Sequence, residues 1–373
     1  MHKRNTHALT YETVSKLVSD FDRLGMKAGN IPGTWEDGMR TDPTQTNYEW
    51  WYFDAHLDDG STLVIVFFPK PMVPMQKGLA PMINIEFDRP DGTSYKRDIK
   101  FTAHEFSAAR DKCDVKIAHN YFRGDLAHYK IHVQDEHINV TLNVTRTTES
   151  WRADTGHQFF GEQRDVFGAW LVPVPQGRVR ARISRDGKEE VLNGSCYHDH
   201  NWGNVNMMNV RNHWYWARTE LGPYTAVIAD MVAHEKYGYA TTFNFYLARD
   251  GKTVADDRDK VDGYRSSPQL QEDFGKPMSD NLKYIYGNPE DDVSYVLTLR
   301  KDHNITAIDL LSKAIHNRYV LSIFKMFTGL DSAYYRIIGE ARLDVYHKGH
   351  LVETHRSHKA VWELMYFGKP IGT

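Results

Sequence analysis

Cysteine is nearly absent. Cys113 and Cys196 are the only two in 373 residues, so no disulfide framework is expected. They fit a reducing compartment, and the expected location is the cytoplasm. Long apolar runs are missing as well. No stretch approaches the roughly 18 residues needed to cross a bilayer, so no transmembrane segment is expected. The opening MHKRNTHALTYETVSKLV is basic but has no continuous apolar run, and no signal peptide is read there. Neither sign of charge dominates, with 46 Lys and Arg against 49 Asp and Glu. That balance gives no electrostatic case for nucleic acid or for an anionic membrane. GxSxG, P-loop and GxGxxG patterns in a strand–helix context are lacking too, so serine-hydrolase, nucleotide and dinucleotide readings have no support.

What the chain has in quantity is aromatic side chains, 13% of the total, many of them clustered. From about residue 47 onward the apolar period is that of strands. In HINVTLNVT the residues Ile138, Val140, Leu142 and Val144 share one face. Xaa-Gly turns stand at Asp59-Gly60, Asp91-Gly92, Asp186-Gly187, Asp250-Gly251 and Lys348-Gly349, each between strand-like runs. The expected class is mainly β and antiparallel, preceded by an amphipathic helix over residues 9–25 with Thr10 as N-cap and Gly25 as stop. Lys252 to Asn288 is polar and rich in Asp, Gly, Pro and Ser, and reads as a long loop. Helical spacing recurs from Ile308 to Phe327, where a strand pair is the competing reading.

WYFDAHLDDGSTLVI, from Trp51 to Ile65, is echoed by WYWARTELGPYTAVI, from Trp214 to Ile228. Two copies of one β-unit would explain the echo. The expected organisation is a lead-in over 1–46, a first barrel over 47–170 and a second over 171–373.

The densest cluster of polar and aromatic groups runs from Gly194 to Asp230. If Tyr197 to Trp202 is extended, His198, His200 and Trp202 share one face, and Asp199 and Asn201 point to the other. Such a cluster suits a pocket that holds an apolar ligand and moves protons on it, although a buried polar knot pinning two strands would look alike. Two histidines on one strand face could ligate zinc with an aspartate, but no second motif with ligand spacing accompanies them, and no metal or other cofactor is expected.

Two motifs, Glu49-Trp50-Trp51-Tyr52-Phe53-Asp54 and Tyr197-His198-Asp199-His200-Asn201-Trp202-Gly203, resemble those of the AttH and carotenoid 1,2-hydratase family. That family includes kievitone-hydratase-like proteins, and fungal Diels-Alderases of decalin biosynthesis are similar in these motifs. The resemblance extends from about residue 47 to Gly368. It implies two lipocalin-like β-barrel domains in tandem, a hydrophobic small-molecule substrate and no cofactor. The His-Xaa-Trp of the carotenoid hydratases is matched by His200-Asn201-Trp202. Their Tyr-Xaa-Asp is met only by Ile228-Ala229-Asp230, without the tyrosine.

Hydration of an alkene needs an acid able to protonate carbon, and a carboxyl kept neutral by burial can serve. Asp199 and Asp230 are the candidate acids, and His198 or His200 would position or deprotonate the water. Trp202, Trp214 and Trp216 could face the cation, with Trp50 and Trp51 on the first-barrel side and Tyr197 and Asn201 completing the lining. The leading expectation is a cofactor-independent hydratase of a polyunsaturated, isoprenoid-like molecule. A cyclase of the same fold and a non-catalytic lipocalin-like binder are the alternatives. Oligomeric state is not readable from the sequence.

Overall fold

The computed structural model describes residues 13–14, 18–71, 75–185, 187–288, 290–309, 311, 331–368 and 370–371. The chain divides into two compact units, with the change between Asn206 and Met207. Each has its own antiparallel sheet and its own apolar core.

The first unit contains β1 (Thr13–Val14), α1 (Val18–Leu24), β2 (Tyr48–Leu57), β3 (Thr62–Lys70), β4 (Met82–Asp88), β5 (Ser94–Lys100), β6 (Phe106–Ala108), β7 (Cys113–Ile117), β8 (Asn120–Gly124), β9 (His128–Gln134), β10 (Ile138–Arg146), β11 (His157–Phe160), β12 (Val166–Arg185) and β13 (Lys188–Gly203). The second contains β14 (Arg211–Leu221), β15 (Tyr224–Ala233), β16 (Thr241–Arg249), β17 (Lys252–Ala255), β18 (Val261–Leu270), β19 (Pro277–Tyr286), β20 (Val293–Ile308), β21 (Ala333–His347) and β22 (His350–Tyr366).

Both sheets follow one plan. In the first, β5-β4-β3-β2 meets the last strand, β13, and continues β12-β10-β9-β8-β7-β6; in the second, β17-β16-β15-β14 meets the last strand, β22, and continues β21-β20-β19-β18. The opening hairpin of each unit therefore zips onto that unit's closing strand. Those hairpins, β2–β3 and β14–β15, are the two echoed sequences. The architecture is two curled antiparallel sheets in tandem, lipocalin-like, with a helix near the N-terminus.

Alternation decides which side chains fill each curl. Trp51, Phe53 and Ala55 of β2 join Val140, Leu142 and Val144 of β10 in the first core. Tyr215, Ile228, Leu343 and Trp362 belong to the second. Among the glycine turns, Asp250-Gly251 and Lys348-Gly349 have positive φ at both residues, the two-residue hairpin geometry that matches the twist of the flanking strands.

Three expectations are corrected, and a fourth falls almost wholly outside the described residues. The domain change does not fall at 170/171: β12 pairs with β10 and β13 pairs with β2, so residues 171–203 belong to the first sheet. The helix is shorter than 9–25. Thr13 and Val14 pair with Phe159 and Gln158, and the helix covers Val18–Leu24, ended by left-handed Gly25 as expected. The segment 252–288 is no loop, since it holds β17, β18 and β19. Its polarity comes from β18, an edge strand with most of its side chains exposed. The apolar repeat from 308 to 327 begins at the end of β20 and otherwise lies almost wholly outside the described residues.

The lead-in is an integral part of the first unit. Glu36 and Asp37 sit in a buried 3-10 turn, Thr34–Asp37. The Arg152 guanidinium donates to Glu36 (2.6 Å) and to the carbonyls of Gly29 and Lys27 (2.6 and 2.9 Å).

Candidate functional site

Strand β13 carries the motif, and its register on β2 sorts it into two faces. His198 pairs with Phe53 and His200 with Trp51, so both histidines enter the first core, and Asp199 pairs with Tyr52 on the opposite face. The expected sharing of a face by His198, His200 and Trp202 is what the strand shows.

On the inner face the histidines meet an acid from the lead-in. His198 donates through Nδ1 to the Tyr52 carbonyl (2.8 Å) and turns Nε2 toward Asp37 Oδ2 (3.3 Å). His200 places Nε2 2.9 Å from Glu49 Oε1 and Nδ1 3.4 Å from Asp37 Oδ1. Tyr129 donates its hydroxyl to Asp37 Oδ2 (2.5 Å), and the Trp51 indole donates to the Asp37 carbonyl (3.0 Å). The His200 ring stacks on Trp51 with centroids 4.5 Å apart. Glu49 also accepts from the Arg40 and Thr41 amides, which tethers the lead-in to the sheet.

Charge in this dry cluster is mutually compensated. Burial alone would raise the Asp37 pKa, but the two histidines, His198 foremost, hold it well below the usual carboxylate range. Burial disfavours the His200 cation, yet Asp37 and Glu49 outweigh it and raise its pKa. His200 thus lies between two acidic side chains that both favour its protonated form. Burial, then the Asp37 charge, push the Cys113 thiol well above its ordinary value. Asp37, Cys113 and His198 bring one donor atom each within 4.8 Å of one another and could hold a small divalent ion.

On the opposite face Asp199 accepts at Oδ2 from the Trp170 indole (3.0 Å) and the Tyr197 hydroxyl (2.9 Å). Its Oδ1 accepts from the Asn201 amide (2.8 Å). Burial raises this carboxyl to about 6, with Trp170, Tyr197 and His198 pulling the other way. Trp50 shares this face and stacks on Tyr48 at 5.2 Å.

In the second unit Asp230, fully buried on β15, pairs with Tyr215 of β14. It accepts from Arg265 Nε at Oδ2 (2.9 Å), from Arg265 Nη2 at Oδ1, and from the Tyr284 hydroxyl (3.2 Å). Burial disfavours the Arg265 cation, but Asp230 overrides that and raises its pKa. Burial raises the Asp230 carboxyl, with Arg265 and then Tyr284 pulling the other way, and the guanidinium grips both of its oxygens. Trp214 and Trp216 have the opposite parity to Tyr215 and leave this face; Trp214 packs against Phe367 at 4.9 Å.

The sequence model of the Diels-Alderase-like family matches residues 39–304, spanning both units. The chain belongs to that family. Solved structures agree on the fold. Crystalline CghA superposes with a TM-score of 0.59 at 15% identity, covering 90% of this chain and 91% of that one. A putative AttH from Nitrosomonas europaea gives 0.54 at 14% over 87% and 93%. Kievitone hydratase from Nectria haematococca gives 0.50 at 11% over 91% and 97%. At such identities the likeness establishes architecture. No curated protein sequence matches the chain.

In this Diels-Alderase-like chain the expected site residues divide into three groups. His198, His200, Trp51 and Trp202 come together inside the first barrel. Asp199, Tyr197, Asn201 and Trp50 line the other face of the same strands. Asp230 belongs to the second unit, with Trp214 and Trp216 on the reverse side of its sheet. Sequence reasoning missed Asp37, Tyr129 and Arg265. Asp37 lies 161 residues from His198 in an aperiodic segment, which offered no signal. Arg265 lies where a loop was expected, and recognising β18 would have placed its side chain on the inner face. Glu49, which opens the first motif, bonds His200 within the same unit.

Proposed function

We propose that this protein is a cofactor-independent cyclase of a hydrophobic, polyunsaturated small molecule, closing a ring without adding water. The observation that carries this reading is the state of the interior carboxylates. Two histidines hold Asp37 well below the usual carboxylate range, and Arg265 occupies both oxygens of Asp230, so neither is placed to deliver a proton to carbon. Tyr129 and Trp51 stand beside Asp37 in the first core, and Tyr215 and Tyr284 beside Asp230 in the second. Hydrogen-bond donors and aromatic faces of this kind can orient a polyene and polarise a conjugated carbonyl, which is what a pericyclic closure requires. Membership of a Diels-Alderase-like family supports the same class. With purified protein and apolar extracts rich in linear polyenes, the expected product is an isomer of its precursor, and Asp199→Asn is expected to form it as well as the wild type. Abolition of product by Asp199→Asn would overturn the reading.

Hydration is the second reading, and Asp199 favours it. Its carboxyl, raised to about 6 and flanked by Trp170 and Tyr197, is the kind of neutral acid that alkene protonation needs. A product heavier by one water, formed by wild type and lost in Asp199→Asn, would select it.

A further inference from the structure

The inner cluster of the first unit joins three side chains of metal-ligand type from distant parts of the chain. Asp37 comes from the lead-in turn, Cys113 from the start of β7 and His198 from β13, and one donor atom of each lies within 4.8 Å of the others. Each of the three is 1% exposed. A carboxylate, a thiol and an imidazole gathered in one dry place are the donor types of a closed zinc site.

The histidine is oriented as a ligand. Its Nδ1 donates to the Tyr52 carbonyl (2.8 Å), so in the neutral ring the Nε2 lone pair is turned on Asp37 Oδ2, 3.3 Å away. Two acceptors then face each other, an arrangement that a cation bridges. An imidazolium donating to that carboxylate would close to about 2.7–2.9 Å. The wider spacing matches the edge of a tetrahedron with metal–ligand bonds of about 2.1 Å, an edge of about 3.4 Å. Asp37 is also held from behind. Tyr129 donates to Oδ2 (2.5 Å), and the Trp51 indole donates to the Asp37 main-chain carbonyl (3.0 Å). Hydrogen bonds that fix a ligating imidazole and carboxylate in this way are the usual surroundings of a bound ion. A separate observation points the same way. Among the described residues Asp37 Oδ1 is buried without a hydrogen-bond partner, as is His200 Nδ1, 3.4 Å from it. An unpaired carboxylate oxygen is costly in an apolar core, and an ion shared with Oδ2 would satisfy it.

We propose that Asp37, Cys113 and His198 bind one zinc ion, which pins the lead-in turn to strands β7 and β13. Asp37 supplies both of its oxygens, and with the sulfur and Nε2 they make four donor atoms. Zinc suits this set better than calcium or magnesium, which take oxygen ligands in larger number. The thiol donates to the Phe122 carbonyl at 3.6 Å, a bond it gives up on binding. Its proton leaves to solvent, because the thiolate is the ligand. With every ligand buried, the ion holds structure together and takes no part in ring closure. The inference therefore goes beyond the function proposed above and does not depend on it.

The test is metal content and spectroscopy of the full chain. Protein produced in zinc-supplemented medium and dialysed against metal-free buffer is expected to keep about one zinc per chain by elemental analysis. Protein produced in cobalt-supplemented medium should show the near-ultraviolet sulfur-to-cobalt charge-transfer band and the visible bands of a tetrahedral site. Cys113→Ser should lose the charge-transfer band, and Cys196→Ser should keep it. Tyr129→Phe should weaken cobalt affinity by about 10–100-fold, the range for removing a hydrogen-bond partner of a ligand. Wild type that keeps well under one ion per chain would overturn the inference without recourse to any variant. So would cobalt bound without charge transfer, the signature of surface histidines, or a band that survives Cys113→Ser. No product is measured, so a failed cyclase assay leaves this result standing, and a metal-free protein leaves ring closure open.

Discussion

Asp199 binds its proton more tightly in the fold, at about 6, than at the ordinary carboxyl value of 3.8. Its contribution to stability is therefore fully present below the lower value and is lost as the pH rises through the higher one. The ceiling on that loss is on the order of 3 kcal/mol. Asparagine cannot ionise and can keep the Trp170 and Tyr197 bonds if Asn201 turns its amide. Asp199→Asn should therefore flatten the decline in unfolding free energy between about pH 4 and pH 7 relative to wild type, measured by denaturant titration at each pH. An unchanged decline would mean the carboxyl is not perturbed. His200 has the same sign: its raised pKa stabilises the fold below the ordinary 6.5 and ceases to do so as the pH passes the raised value. Removing one partner leaves the His200 ring buried beside a gap. Glu49→Ala is expected to cost about 3–5 kcal/mol, read as a lower denaturant midpoint, and a cost under about 1 kcal/mol would contradict the ion-paired reading of this cluster.

At the scale of strands, legibility followed the contrast between buried and exposed faces. Strand β10 alternates cleanly because one face packs the core and the other meets solvent. The Xaa-Gly turns were readable because only glycine adopts their backbone without strain. Strand β18 was missed because an edge strand is polar on purpose, and VDGYRSSPQL, with Pro268 and one inward glycine, looks like a loop until its partner β19 is known. The parity within HDHNW was right, which separated the histidines from Asp199. What parity could not supply were the partners: Asp37 comes from a single buried turn, and Arg265 from the unrecognised edge. Gly194, where the polar and aromatic cluster begins, has a separate job. An added Cβ on Gly194 would lie 2.3 Å from the His56 carbonyl oxygen, inside the β2–β13 pairing that carries both histidines. Gly194→Ala should therefore destabilise by about 1–3 kcal/mol and broaden the near-ultraviolet signal of Trp51, and an unaffected melting profile would refute this close approach.

Over the whole molecule, two sheets with one topology are a simple reason for the echo between Trp51–Ile65 and Trp214–Ile228. Each unit closes its own core, the first around Trp51 and Phe53, the second around Tyr215 and Trp362. A fragment comprising residues 13–206 is expected to fold alone, with a β-type far-ultraviolet spectrum and one cooperative transition. A random-coil spectrum would show that the first core depends on the second unit.

Ring closure is proposed because Asp37 of the first core is held well below the usual carboxylate range and both oxygens of Asp230 in the second are occupied by Arg265. The measurement that tests this most directly is mass spectrometry of polyene extracts incubated with the protein in oxygen-18 water. Ring closure predicts a new species of unchanged mass that carries no heavy oxygen. A product heavier by one labelled water would contradict the account and return the chemistry to Asp199.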